Sequence, residues 1–186
     1  LKKYSWVDLD NHLSMEMIVD YLIKKNHKKI AFVNIDEEFN FAFQRKESFF
    51  ESMKKNKIRA SQKNYFTISQ NNPELSFQKV KNFLNKNPEI TSIICCTEYI
   101  AAGAIKACDD LSLKIGKDIS LITYDSLVIS QLTNPSLTSV SHPVRELGNQ
   151  AVNILLEMRS KKGKNKNYMA TPTIIERGSV AKLLKN

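Results

Sequence analysis

Apolar positions along the chain alternate between helical spacing and short unbroken runs. Met17, Ile18, Tyr21 and Leu22 share one face of a helix predicted over 13–25, and 30–33 then reads as a strand buried on both faces. Ala42, Phe49, Phe50 and Met53 mark a second helix, followed by a strand at 65–68. Pro73, suited to the first turn of a helix, opens a third with Phe77, Val80 and Leu84 on one side. A strand at 93–96, a helix at 99–111 carrying Ala101, Ile105 and Cys108, and a strand at 121–124 complete the series. Strands and helices in strict alternation predict an α/β fold, a mainly parallel sheet flanked by helices.

In such a sheet, ligands collect beyond the carboxyl ends of the strands. The positions there are 34–41, Thr97 and Glu98, and Asp125 and Ser126, nearly all polar. A phosphate-cradling loop needs glycines at these points, and the chain has five glycines in all, none in GxGxxG or P-loop spacing. This argues against a nucleotide-using enzyme. His12, His27 and His142 lie far apart, no serine occupies a GxSxG turn, no HExxH occurs, and the pair Asp109 and Asp110 ends a helix as solvated charge. No catalytic group is therefore assigned.

Composition narrows the picture further. With 42% hydrophobic and 25% charged residues the chain is of globular type, which excludes a mainly disordered protein. The net charge of +9 is spread over scattered lysines, with no basic stripe interleaved by aromatics, so it reads as solvated surface. The densest basic tract, KKGKNK at 161–166, reads as a loop before the last strands. Cys95, Cys96 and Cys108 lack metal-ligand spacing and are expected as buried small apolar groups of a reducing compartment. Neither a metal nor a cofactor is implied. No apolar run reaches membrane-spanning length, and the first residues lack the apolar core of a signal peptide, so a cytoplasmic location is expected.

Seven blocks carry a resemblance: VDLDN at 7–11, VDYLIKKNHKKIAFV at 19–33, RKESF at 45–49, TEYIAAGAIKA at 97–107, GKDISLITYDS at 116–126, PSLTSVSHPVRELGNQAV at 135–152 and IIERGS at 174–179. In order and spacing along nearly the whole chain they resemble the LacI/GalR family of bacterial transcription regulators. The resemblance implies a two-lobed, periplasmic-binding-protein-like (type I) core that binds a sugar or other small effector between its lobes. On this mapping, residues 28–142 and 168–181 form one near-complete lobe. Residues 1–27 and 143–164 form part of the other, and the DNA-binding helix-turn-helix is absent from this chain. Met17, Tyr21, Leu147, Val152 and Leu155 would then lack cover and form an apolar patch.

The implied function is effector binding, with a sugar or sugar derivative as the small molecule, and homodimerisation in a repressor that meets operator DNA through the absent domain. The alternative is a sugar receptor for membrane transport, built on the same fold. Arg45 matches the family's arginine for ligand hydroxyls or carboxylates, a task suited to a planar charged fork; its other role is a surface pair with Glu47 or Glu51. Asp125 matches the sugar-binding aspartate, or caps the segment that follows it. Thr97 and Glu98 stand where the family has Asn-Asp, and both also suit the start of a helix. His142 lies near the opening between lobes, and Phe41 can stack on a sugar's apolar face or pack in the core. Ser126 and Asp36 are weaker candidates. By resemblance, the partner subunit is met by Tyr99, Ile100, Leu127, Val128 and Ile129.

Overall fold

Every residue of Ile30–Ile35 is buried, which a strand satisfies only at the centre of a sheet covered on both faces. The computed structural model describes residues 4–69, 72–124, 129–160 and 165–184. In chain order its elements are β1 (Trp6–Leu9), α1 (Asn11–Lys24), β2 (Ile30–Ile35), α2 (Asn40–Lys55), β3 (Tyr65–Ile68), α3 (Pro73–Lys86), β4 (Ser92–Cys95) and α4 (Glu98–Asp110). There follow β5 (Ser120–Tyr124), α5 (Ile129–Leu132), β6 (Thr138–Val140), α6 (Val144–Ser160), β7 (Asn167–Ala170) and β8 (Ile174–Ile175). The predicted α/β alternation with a mainly parallel sheet is the observed one.

Six strands form the larger sheet in the order β3-β2-β4-β5-β6-β8, parallel except for β8. From β2 the chain moves outward to β3, then returns past β2 to β4 and continues to β5 and β6. Right-handed crossovers therefore place α2 on one face and α3 and α4 on the other. Consistent with this, α1 packs with α2 and α3 with α4. On the α2 side Phe32 meets Phe49 at 5.5 Å and Tyr65 at 5.6 Å between ring centroids. The helices start where a side chain pairs the otherwise free first amides. Asp10 accepts from Leu13 N–H, Asn72 from Glu74 and Leu75 N–H just before Pro73, and Thr97 from Ile100 N–H.

The last described residues fasten the larger sheet. Ser179 Oγ donates to the Leu121 carbonyl at 2.5 Å and accepts from Thr138 N–H at 2.8 Å, joining β5 to β6. Arg177 Nη1 adds bonds to the Leu137 carbonyl and Ser139 Oγ. His27, fully buried, links three segments: Nδ1 lies 2.9 Å from Thr91 Oγ1, and Nε2 lies 3.0 Å from both the Ala181 carbonyl and Ser120 Oγ.

Burial lowers the pKa of His27 from its usual 6.5, against the Ala181 carbonyl, which favours the charged ring. The unfolded chain therefore takes up this proton first. The contribution is fully present above the unfolded value and is lost as the pH falls toward the folded one, at up to about 1.4 kcal/mol per pH unit. Urea unfolding from pH 7.5 to 5.5 should show wild-type stability falling with acid more steeply than that of His27→Gln. Parallel profiles would contradict this assignment.

The second sheet is small. β1 pairs in parallel with β7, Trp6 facing Asn167 through Leu9 facing Ala170, and α6 lies against both. Two expected boundaries are corrected by these pairings. α1 belongs with the larger sheet, because Met15, Ile18, Val19 and Leu22 are fully buried in its core; Met17 and Tyr21 are half-buried rather than uncovered. β7 belongs with β1, so of 168–181 only the part from β8 onward joins the larger sheet. On α6, Val152 is 55% and Leu155 66% exposed, as expected, whereas Leu147 is half-buried rather than uncovered.

Candidate functional site

The point where the chain departs from β2 in one direction and crosses to β4 in the other leaves a crevice beyond their carboxyl ends. A cavity of about 310 Å³ opens there. Arg45, Phe41 and Tyr124 lie at its floor; Asp8, Thr97, Glu98 and His142 add polar walls.

Arg45 is 3% exposed, on the second turn of α2, and pairs with neither Glu47 nor Glu51 among the described residues. Instead its Nε donates to Asn11 Oδ1 at 2.9 Å and its Nη1 to the Cys96 carbonyl at 3.2 Å. The Tyr124 ring lies against the guanidinium, 3.4 Å from centroid to Cζ, and Phe41 approaches it at 4.9 Å. Such a cation between two aromatic faces, with Nε and Nη1 on fixed acceptors, is held in one orientation.

The acceptors are themselves fixed. Asn11, 2% exposed, donates from Nδ2 to the Leu9 carbonyl at 3.1 Å and to Gln44 Oε1 at 3.3 Å, which leaves its Oδ1 turned to Arg45. Tyr124 shares a 3.0 Å hydrogen bond with Ser14 Oγ on α1. Burial pushes the Tyr124 phenol up to about 12, with Arg45 and Ser14 opposing, so it stays neutral near pH 7. Burial likewise raises the Cys96 thiol against the pull of Arg45.

A second network sets the start of α2. Asn34, at the end of β2, donates to the Ala42 carbonyl at 2.9 Å and to Tyr65 Oη at 3.1 Å. Tyr65 donates onward to Glu37 Oε1 at 2.9 Å, and Glu37 pairs with Lys46 at 2.6 Å. The hydrogen bond from Lys46 holds the Glu37 carboxyl below its usual range, against the effect of burial. The strand end, the loop after it and the helix bearing Phe41 and Arg45 thus move as one piece.

Of the predicted ligand contacts, Arg45, Phe41, Thr97 and His142 converge on this cavity, as does Glu98. Thr97 lines the cavity and also caps α4, the second role expected for it. Asp36 is not among the lining residues. Asp125, Ser126, Leu127 and Val128 lie outside the described residues. Ile129 opens α5. For the partner surface, Ile100 is corrected: it is fully buried in the core with Ala101, Ala104 and Ala107 and cannot meet another chain. Tyr99, 45% exposed, lines the cavity wall. Sequence reasoning missed Asn11, Asp8 and Tyr124. The signal for the first two was VDLDN, where Asp8 sits on β1 and Asn11 opens α1; for Tyr124 it was the last position of β5.

A family model described as a periplasmic binding protein-like domain matches residues 19–180. The repressor PurR of Klebsiella pneumoniae is 31% identical over 162 residues, covering 87% of this chain and 47% of that protein. The chain spans about half the length of the curated relatives it matches. In fold it is similar to the transcriptional regulator CelR in complex with cellobiose (TM-score 0.89, 15% identity, 96% of this chain and 54% of that one). A LacI family regulator from Enterococcus faecium with bound ribose is similar too (TM-score 0.87, 20% identity, 97% and 67%).

Proposed function

We propose, from the premise that the chain belongs to the periplasmic binding protein-like domain family in its LacI/GalR regulator branch, that it is the effector-binding part of a bacterial DNA-binding transcriptional repressor. The observation that carries this reading is the cavity where the two sheets meet. Its floor belongs to the larger sheet through Arg45 and Tyr124, whereas Asp8 comes from β1 and His142 from the approach to α6. A ligand touching both groups favours one angle between them over another, and such a preference is the currency of allosteric coupling, typically about 1–3 kcal/mol.

The effector in this reading is a sugar or sugar derivative. Asp8, Thr97, Glu98 and His142 offer acceptors and donors for hydroxyls, and Phe41 a ring for an apolar sugar face. Residues 11–142 with the segment from β8 onward form one lobe; α6, β1 and β7 belong to the other. Operator DNA is met through an amino-terminal helix-turn-helix, and a second copy of the chain is met near 127–132 and the exposed edge of Tyr99. The protein acts by binding rather than turnover, in the cytoplasm. Among the described residues, no helix is long and apolar enough to cross a membrane.

A thermal-shift screen of ribose, cellobiose, other sugars and phosphosugars against the full-length protein tests this. A true effector at 100 times its dissociation constant should add about 2.7 kcal/mol of stability. A panel in which none of these compounds stabilises the protein, or in which one is chemically converted, would remove the reading.

A further inference from the structure

Away from the cavity, β3 is the outer strand of the larger sheet: one side pairs with β2 and the other has no strand beside it among the described residues. A groove of about 430 Å³ runs along that open side, between β3 and α3. Phe66 on β3 and Phe83 on α3, with ring centroids 4.9 Å apart, provide its apolar surface. Lys63, Lys79 and Lys86 also line it, and no carboxylate does. Ion pairs engage Lys25, Lys46, Lys55, Lys81, Lys106 and Lys166, but none of these three lysines among the described residues.

One contact shows how the edge is managed. Lys79 Nζ donates to the Thr67 carbonyl at 3.1 Å, so this carbonyl faces away from β2, and with it, by the geometry of a strand, the Thr67 N–H. An unpaired row of strand amides and carbonyls is a template for another strand, and lysine is a common guard against indiscriminate pairing. The guard here is selective. A cation on the edge carbonyl, flanked by two more, repels basic segments and yields to a segment that brings its own carboxylates.

We infer that the β3 edge is a docking site for an extended acidic segment of a partner protein, added as a further strand. Main-chain hydrogen bonds to β3 supply pairing, alternate apolar side chains rest on Phe66 and Phe83, and the intervening carboxylates meet Lys63, Lys79 and Lys86. The site is independent of the effector cavity and of the effector's identity.

The test is fluorescence anisotropy of the full chain with a labelled peptide of about ten residues alternating Glu and Val, at about 50 and 300 mM salt. Wild-type protein should bind it, more weakly at high salt, and Lys79→Glu/Lys86→Glu should weaken binding by about tenfold or more. Arg145→Glu/Arg159→Glu makes the same change of net charge on α6, against the other sheet, and should alter binding by less than about twofold. Methylating alternate backbone nitrogens of the peptide should also cost about tenfold, because strand pairing needs those donors. Circular dichroism confirms that each variant is folded. No binding by wild type, equal loss in the two charge-reversed variants, indifference to N-methylation, or preferential capture of a short DNA duplex by the same lysines would each overturn the inference.

Discussion

Arg45→Met is expected to bind the proposed sugar effector at least about 100-fold more weakly than the wild-type protein does, and to be less stable by about 2–4 kcal/mol. Methionine keeps much of the apolar stem and can still lie between Tyr124 and Phe41, so little packing is lost. What disappears is the donor set. Asn11 Oδ1 and the Cys96 carbonyl lose their partners inside a region where Arg45 itself is 3% exposed. Each buried acceptor left unpaired costs about 1–3 kcal/mol, the larger part of the stability loss. Arg45→Lys separates charge from geometry: its ammonium keeps the charge but lacks the planar fork that reaches Asn11 Oδ1 and the Cys96 carbonyl from two separate nitrogens, so binding should fall nearly as far. Because these variants also disturb the fold, Phe41→Leu provides a milder check and should weaken the same sugar by about tenfold with stability changed by less than about 1.5 kcal/mol. Isothermal titration alongside thermal unfolding reads both quantities. Arg45→Lys binding as tightly as wild type would show that the fixed fork does not matter.

Gly103→Ala, a change that usually strengthens a helix by about 1 kcal/mol, should here destabilise the protein by about 1–2 kcal/mol, and Gly103→Val by about 3 or more. Gly103 lies on the buried side of α4, against the first turn of α3. A Cβ built there would stand 2.5 Å from the Pro73 carbonyl oxygen and 2.6 Å from Phe77 N, and against Ser76 Cβ. Two of these three atoms are backbone and cannot rotate aside, so the helices must part. Overpacking of this kind exceeds the gain in helix propensity, which decides the sign. Ser76→Gly should fail to rescue Gly103→Ala, since the backbone contacts persist. Urea unfolding reads the stabilities; an alanine variant as stable as wild type would mean that the helices approach less closely. The first residues of α4, Glu98 and Tyr99, line the cavity with the cap residue Thr97, so the same variants should also weaken sugar binding.

The order of elements was legible because each strand of the larger sheet is a short apolar run and each helix carries an apolar face. The strand at 65–68 and the helix opened by Pro73 were placed to the residue, since turn chemistry marks their starts. β7 was misplaced for a physical reason: its burial pattern is mostly exposed, so its own sequence carries no pull toward either sheet. Its place is set by β1, through pairs such as Trp6 with Asn167. Ile100 was misassigned because the resemblance marks the helix from Tyr99 to Ala107 as a whole, and does not say that Ile100 turns inward with Ala101, Ala104 and Ala107. At the site, the residue types that hydrogen-bond polar ligands were visible, but the environment of Arg45 was not. Its Nε partner Asn11 lies 34 positions away on another helix, and only folding places the Tyr124 ring beneath it.

The bonds of Arg177 and Ser179 to β5 and β6 also have a temporal consequence. During synthesis the chain emerges from its amino end, so β2 to β6 are outside the ribosome before their fastener exists. Until residues 177–183 follow, Thr138 N–H and the Leu121 carbonyl lack the serine hydroxyl that joins them, and His27 lacks its contact with Ala181. Closure of the larger sheet therefore waits on the segment that follows β8. A chain truncated after 170 should be more open to protease along β5 and β6 than one that carries the segment through 184.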